Sequence, residues 1–308
     1  MTPHPNPDKR EASPPRNAPA KSLRRLLTCE IFPSPFRTHN PVLHALQTVV
    51  VFFLVFVLVL YACMALFALF FAHGMIFRPP APTYQADAPG VFMLPLANGN
   101  RIAARFYPNS QADKFLIVSH GNGEDMGSDL ELPERLREMG FNVVVYDYPG
   151  YGASDGRPSE QGCYEAIETV YDWLLKEQGA TPEQIVLFGR SLGGGPTVEL
   201  ATRKPVAGVI LDGTFTSTFR VMTRVRLLPW DCFNNIAKID RIGCPLLILH
   251  GTADRTVPFW HGEALFAQAS QPKTRLWVEG AGHINLIEVA AKRYSDAVIN
   301  FRESLNHE

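Results

Sequence analysis

The chain has 308 residues, a formal net charge of -1 at pH 7 and 46% hydrophobic residues. So even a charge balance leaves no electrostatic footprint for nucleic acid, and the length holds one large domain or two small ones. Its five cysteines, at 29, 63, 163, 232 and 244, form no CxxC pair and no Cys/His cluster. Neither a metal site nor a disulfide framework is expected.

Residues 1–22 are rich in proline and polar side chains and nearly free of large apolar ones. Such a segment buries too little surface to offset its chain entropy, so a disordered, basic tail is expected over 1–45. From Pro41 to Phe77 there is no Asp, Glu, Lys or Arg. The apolar centre, Thr48 to Ala72, is about 25 residues, or about 37 Å of helix, against a bilayer core of about 30 Å. A core helix is rarely apolar on every face for so long. A cleaved signal is disfavoured by the long preceding segment and by Phe70 where a small residue is needed. The expectation is one transmembrane helix with its flanks over 46–77, and the lipid bilayer as partner. Lys9, Arg10, Arg16, Lys21, Arg24, Arg25 and Arg37 precede it, whereas Arg78 alone follows closely. The positive-inside rule then places the N-terminus in the cytoplasm and the large domain on the opposite side.

Pro79, Pro80, Pro82 and Pro89 mark 78–90 as a stiff linker. A domain is expected over 91–308. It opens with "VFMLPL" and "RIAARFY" around "ANGN", a hairpin with an Asn-Gly turn. Strand-length apolar runs follow at 115–118, 142–147, 184–188, 206–212, 245–250 and 274–278, with helical patterns between most of them. The clearest helix is 158–177, started by Pro158 and Ser159, with Ala166, Val170, Trp173 and Leu174 on one face. Continuous apolar strands alternating with helices predict an α/β fold. Its mostly parallel, eight-stranded sheet follows an antiparallel hairpin and is covered by helices on both faces.

"VLFGRSLGGGP" (186–196) lies directly behind one of these strands. As a phosphate cradle it fails: residues 193–197 read Gly-Gly-Gly-Pro-Thr, without the Lys of a Walker loop, and the GxGxxG spacing is absent. As G-x-S-x-G it fits. A serine on a sharp strand-to-helix turn projects its Oγ above the sheet, and small residues two places either side avoid the neighbouring strand and helix. Ser191 then needs a base and an acid to orient it. His283 in "VEGAGHINL" follows the last predicted strand, and Asp254 in "LILHGTADRTVP" follows the strand before it. Both stand at carboxyl ends of strands, where open parallel sheets gather their sites. "FLIVSHGNGED" adds a turn after another strand. The backbone N–H groups of Asn122 and Leu192 would be the oxyanion donors, with the Asn122 side chain as a candidate third contact. His120 and His250 read as structural. The plainer readings are a surface loop histidine for His283 and a turn residue for Asp254.

"SHGNGED", "YDYPGYGASDG", "FGRSLGGGP", "LDGTFTS", "LHGTADRTVP" and "GAGHINL", in this order over about 115–287, resemble the blocks of the α/β-hydrolase superfamily. The chain looks most like its single-pass membrane-anchored members related to serine aminopeptidase-like and acyl-thioesterase-like hydrolases. The resemblance implies the α/β-hydrolase fold and a serine hydrolase with Ser191, Asp254 and His283 as triad and no cofactor. It also implies that Asp147 and Ser154 shape the sheet rather than react. Asp212-Gly213 departs from the Glu-Ser or Glu-Ala of many relatives, which bears on specificity. No aspartate replaces the elbow serine, so epoxide or haloalkane chemistry is not expected.

The activity expected is hydrolysis of an ester or thioester through an acyl-enzyme. A peptidase or amidase is the alternative, with Glu124 and Asp125 as candidate grips for a free amine, and a catalytically silent membrane scaffold is the third reading. Phe215–Ile242, which holds Arg220, Arg224 and Arg226 among apolar residues, reads as a short amphipathic cover over the pocket or as a plain connecting helix.

Overall fold

A computed structural model describes residues 40–306. The expected tail therefore lies outside the described residues up to position 39. Against the expectation of a disordered tail up to 45, helix α1 (Pro41–Ile76) takes in positions 41–45 together with the apolar stretch Thr48–Ala72, because the charge-free run already begins at Pro41. It is long and apolar enough to cross a bilayer, with a mean hydropathy of 3.1 over Pro41–Phe71. The chain divides into two compact units within this helix, between Met64 and Ala65.

The second unit is built on one eight-stranded sheet. The strands are β1 (Val91–Pro95), β2 (Arg101–Tyr107), β3 (Lys114–Ser119), β4 (Phe141–Tyr146), β5 (Ile185–Arg190), β6 (Gly208–Asp212), β7 (Leu246–Gly251) and β8 (Lys273–Val278). Their order is β1-β2-β4-β3-β5-β6-β7-β8. The β1–β2 and β2–β4 pairs are antiparallel and all others parallel. The expected hairpin forms β1 and β2, closed where Leu96 N–H donates to Asn100 O (2.8 Å). Gly99, at φ +87°, takes the left-handed position that the turn requires.

Along the central strands, successive side chains feed opposite layers. Val143 and Val145 of β4, Val186 and Phe188 of β5 and Leu247 and Leu249 of β7 enter one core. Val144, Ile185, Leu187, Leu246 and Ile248 enter the other. Each such buried side chain is worth about 1.5–3 kcal/mol over an exposed one. This is why these runs are apolar at every position, whereas β8, at the edge, is half exposed. Helices α2 (Glu131–Glu138), α7 (Leu286–Ala290) and α8 (Lys292–Ser304) cover the first face through Leu136, Leu286 and Tyr294. Helices α3 (Glu160–Glu177), α4 (Gly194–Ala201) and α6 (Trp260–Gln268) cover the second through Val170, Val198 and Leu265. The α3 start is as expected: the Ser159 hydroxyl accepts from Gly162 N–H (2.9 Å). Trp173 is only half-buried and instead tilts against Phe92, with ring centroids 4.8 Å apart.

From β3 the chain turns one way to β4 and then crosses to β5 on the other side. The ends of β3 and β5, paired at Ser119 and Gly189, therefore flank the switch point of the sheet. Turns leaving these two strands open a crevice there, because their chains diverge to opposite faces.

Candidate active site

Ser191 follows β5 with φ +50°, a left-handed conformation that a side chain rarely adopts. The turn closes tightly around it. A Cβ on Gly189 would lie 2.7 Å from Gly193 O, and one on Gly193 would overlap the Ser119 carbonyl. The Thr214 hydroxyl, behind β6, donates to Ser191 O (2.7 Å) and holds the bend from below.

His283 arrives on the loop after β8. Its Nε2 is 2.9 Å from Ser191 Oγ and its Nδ1 is 2.7 Å from Asp254 Oδ2. An N–H at Nδ1 facing the carboxylate leaves Nε2 as an acceptor for the serine proton. Asp254 Oδ1 accepts from Thr256 N–H (2.9 Å) and Val257 N–H (2.8 Å), so both carboxylate oxygens are occupied. Burial pushes the Asp254 carboxyl up, but hydrogen bonds from His250 and His283 outweigh it and hold it well below the usual carboxylate range. His250 Nε2 donates to Val257 O (2.8 Å) and lies 3.4 Å from Asp254 Oδ2, bracing the acid loop from beneath. The loops that carry Asp254 and His283 are stitched together directly: Ala253 N–H donates to Ala281 O (2.9 Å).

Across the crevice, the turn after β3 brings up Asn122. Its main-chain N–H makes no hydrogen bond among the described residues. Leu192 stands in the first turn behind Ser191, where a helix leaves its amides without intrahelical partners. The Asn122 side chain, expected as a third oxyanion contact, is turned away. Its Nδ2 donates to Ile76 O (2.5 Å), and its Oδ1 accepts from Arg78 N–H (3.0 Å) and the Tyr151 hydroxyl (2.7 Å). The reason is local: the Ile76 carbonyl and the Arg78 N–H, at the end of helix α1, need partners, and this amide supplies both. His120 lies beneath the turn, with Nδ1 2.8 Å from Gly121 O and Nε2 3.3 Å from Asp147 Oδ1. Burial pushes its pKa down, and the Asp147 carboxylate, together with the Gly121 carbonyl and the Glu124 charge, more than reverses that. Asp147 also accepts from Met126 N–H (2.8 Å), and Ser154 Oγ donates to Asp147 O (3.1 Å).

Glu124 and Asp125 are directed into the same turn. Glu124 Oε2 accepts from Gly121 N–H (3.0 Å), and Asp125 accepts from Thr83, Gly127 and Ser128. Asp125 is buried and committed within this turn, whereas Glu124 is half-buried with one oxygen bonded there. The segment between β6 and β7 contains a short helix, α5 (Thr218–Thr223), in a loop closed by Thr218 N–H donating to Cys232 O (3.0 Å). Met222, Val225, Leu227 and Trp230 are exposed on it, while Arg220 stacks 5.4 Å over the Trp260 ring.

One group escaped the sequence reading. Arg190, the variable residue of the elbow motif, reaches Asp129 (3.0 Å) and the Ile284 carbonyl (3.4 Å), tying the elbow to the residue after His283. Asp212, at its departure position, accepts from the Tyr294 hydroxyl (2.9 Å), and burial pushes its carboxyl up. Neither Asp129 nor Tyr294 falls in a motif, so no local signal announced them.

Residues 114–231 match the model of the α/β-hydrolase fold family. The chain is 41% identical to human α/β-hydrolase domain-containing protein 17B over 242 residues, 69% of this chain and 84% of that protein. It is 36% identical to mouse α/β-hydrolase domain-containing protein 17C over 229 residues, 73% of this chain and 70% of that one. Among solved structures, an esterase from Pyrococcus furiosus superposes with a TM-score of 0.61 at 16% identity, covering 74% of this chain and 99% of its own. The esterase RhEst1 from a Rhodococcus species does so with a TM-score of 0.55 at 19% identity, covering 70% and 99%.

Proposed function

This chain belongs to the α/β-hydrolase family, and we propose that it is a membrane-anchored serine hydrolase cleaving an ester or thioester through an acyl-enzyme. The observation that carries this reading is the continuous relay from Ser191 Oγ through both nitrogens of His283 to Asp254. His283 Nε2 takes the serine proton as Oγ attacks the acyl carbon, and Asp254 stabilises the imidazolium and holds its orientation. Charge then develops on the former carbonyl oxygen, where the N–H groups of Asn122 and Leu192 receive it. His283 returns the proton to the departing alkoxide or thiolate. In the second half it takes a proton from water, whose oxygen attacks the acyl carbon, and gives that proton to Ser191 Oγ as the acyl–Oγ bond breaks and the acid leaves.

Asp125, buried and held by Thr83, Gly127 and Ser128, is not free to hold a substrate amine as an aminopeptidase would need, which favours the ester or thioester reading. Helix α1 serves as the anchor in this reading, with the basic N-terminal segment cytoplasmic and the hydrolase domain across the bilayer. Ser191→Ala in the full chain tests the chemistry: labelling by a fluorophosphonate probe and hydrolysis of p-nitrophenyl esters should both disappear. Retained labelling would overturn it. Protease protection of the domain in sealed vesicles tests the orientation.

A further inference from the structure

Residues 76–77, expected at the end of the transmembrane segment, and 78–84, expected as part of a stiff linker, are bonded at both ends to the turn that carries Asn122 and its neighbours. At one end, Ile76 O and Arg78 N–H take both functional ends of the Asn122 amide, and the buried Phe77 ring packs 6.0 Å from that of Phe233. At the other end, the Thr83 main chain and hydroxyl donate to the two oxygens of Asp125 (2.8 and 2.5 Å). The Tyr84 hydroxyl donates to Asp147, whose other oxygen receives Met126 N–H (2.8 Å), and accepts from Ala153 N–H (3.2 Å). Gly127 leaves no gap beneath the strap, since a Cβ there would lie 2.8 Å from Tyr84 Cδ1.

Residues 120–127 have no helix or strand of their own to hold them. The Asn122 N–H lies in the plane of the Gly121–Asn122 peptide, whose carbonyl His120 Nδ1 holds at 2.8 Å, so its aim depends on that bond and on what grips residues 122–126. On the sheet side Asp147 and Tyr151 grip them. On the other side the strap is the partner.

We propose that the segment Ile76–Tyr84 is a positioning element of the catalytic centre: it aims the Asn122 N–H at the developing oxyanion. The Asn122 side chain, Thr83 and Tyr84 act through that amide and touch no substrate. The proposal rests on the serine-hydrolase reading and adds that the link to the anchor is part of the active enzyme.

The test uses the full chain in detergent, with Asn122→Ala and the double variant Thr83→Val/Tyr84→Phe, both of which keep the Asn122 N–H. Rates on a p-nitrophenyl ester are divided by the number of sites titrated with a fluorophosphonate, so a partly unfolded sample does not mimic a slow enzyme. Loss of an oxyanion donor costs about 10²–10³ in kcat, so a misaimed one should cost about tenfold or more. KM should stay within about twofold, and the pH dependence of kcat should not move, because the triad is untouched. Unchanged kcat per titrated site in both variants would overturn the proposal, whatever happens to Tm. A fall in kcat accompanied by a shifted pH midpoint or a raised KM would also overturn it, by tracing the effect to the triad or the pocket. The two readings fail separately: an unlabelled wild-type chain removes the hydrolase reading, whereas a labelled wild type with equally fast variants removes only the strap.

Discussion

Gly193 packs so closely under Ser119 that a Cβ at this position would overlap the Ser119 carbonyl oxygen and lie 2.9 Å from that of His120. The first belongs to the last residue of β3, in the middle of the sheet, and the second to the turn that leaves it, held by the Tyr148 hydroxyl (2.7 Å). Gly193→Ala should therefore displace the elbow rather than the strand. A misplacement of about 1 Å at a reacting atom costs about 10² in rate, and kcat per folded molecule should fall at least that far. Fluorophosphonate labelling of the folded fraction checks this; labelling at the wild-type rate would contradict it.

Asp254→Asn preserves the shape of the acid loop but replaces an acceptor facing His283 Nδ1 with a group that also donates. The imidazole is then free to take the wrong tautomer, and kcat should fall on the order of 10⁴-fold with KM little changed. Steady-state kinetics on an activated ester decides it. A variant retaining a tenth of wild-type kcat would mean that Asp254 does not orient the base.

Arg190→Met keeps the apolar stem of a side chain that is 15% exposed and removes its reach to Asp129 and to the Ile284 carbonyl. The loop bearing His283 loses one of its ties to the elbow. A decrease in kcat of about tenfold is expected, with the protein still folded, because a small offset between base and nucleophile is felt in the rate before it is felt in stability. Comparing kcat with the thermal midpoint separates the two effects, and an unchanged kcat would show the tie to be dispensable.

His261 is fully buried, its Nδ1 3.1 Å from the Thr216 N–H that it accepts. Burial, followed by the neighbouring His250 and Arg220, pushes its pKa down to about 3. In the unfolded chain it charges near pH 6.5, so below that value the unfolded state binds the extra proton. Its contribution to stability is thus complete above about pH 6.5 and shrinks as the pH falls toward 3, by about 1.4 kcal/mol per pH unit. His261→Gln keeps an acceptor and removes the titration. Between pH 7 and pH 5 the wild type should lose about 2 kcal/mol more than the variant in urea unfolding. Parallel losses would mean that His261 is not held neutral.

How far the sequence could be read follows from how local each signal was. β4 and β7 were legible because strands buried on both faces are apolar at every position, and the hairpin because Asn-Gly marks its turn. Ser191, His283 and Asp254 were conspicuous because each follows a strand on a turn that contains small residues. Their neighbours were harder. Arg190 occupies a motif position open to any residue, and Asn122 was read for its backbone while its side chain was assigned to the substrate side.

Strand periodicity, the spacing of glycines around Ser191 and the uninterrupted apolar run of helix α1 are properties of neighbouring residues, and steric and hydration constraints on neighbours are written in the sequence itself. The partners of Asn122, Asp125 and Asp147 are not of that kind. Which carbonyl, amide or hydroxyl satisfies a polar side chain is decided only when distant segments meet, because the cost of leaving a group unpaired is incurred in the folded molecule. That is why the sharp turn at Ser191 could be read from eleven letters, whereas the docking of residues 76–84 against the turn that carries Asn122 was decided by the tertiary structure alone.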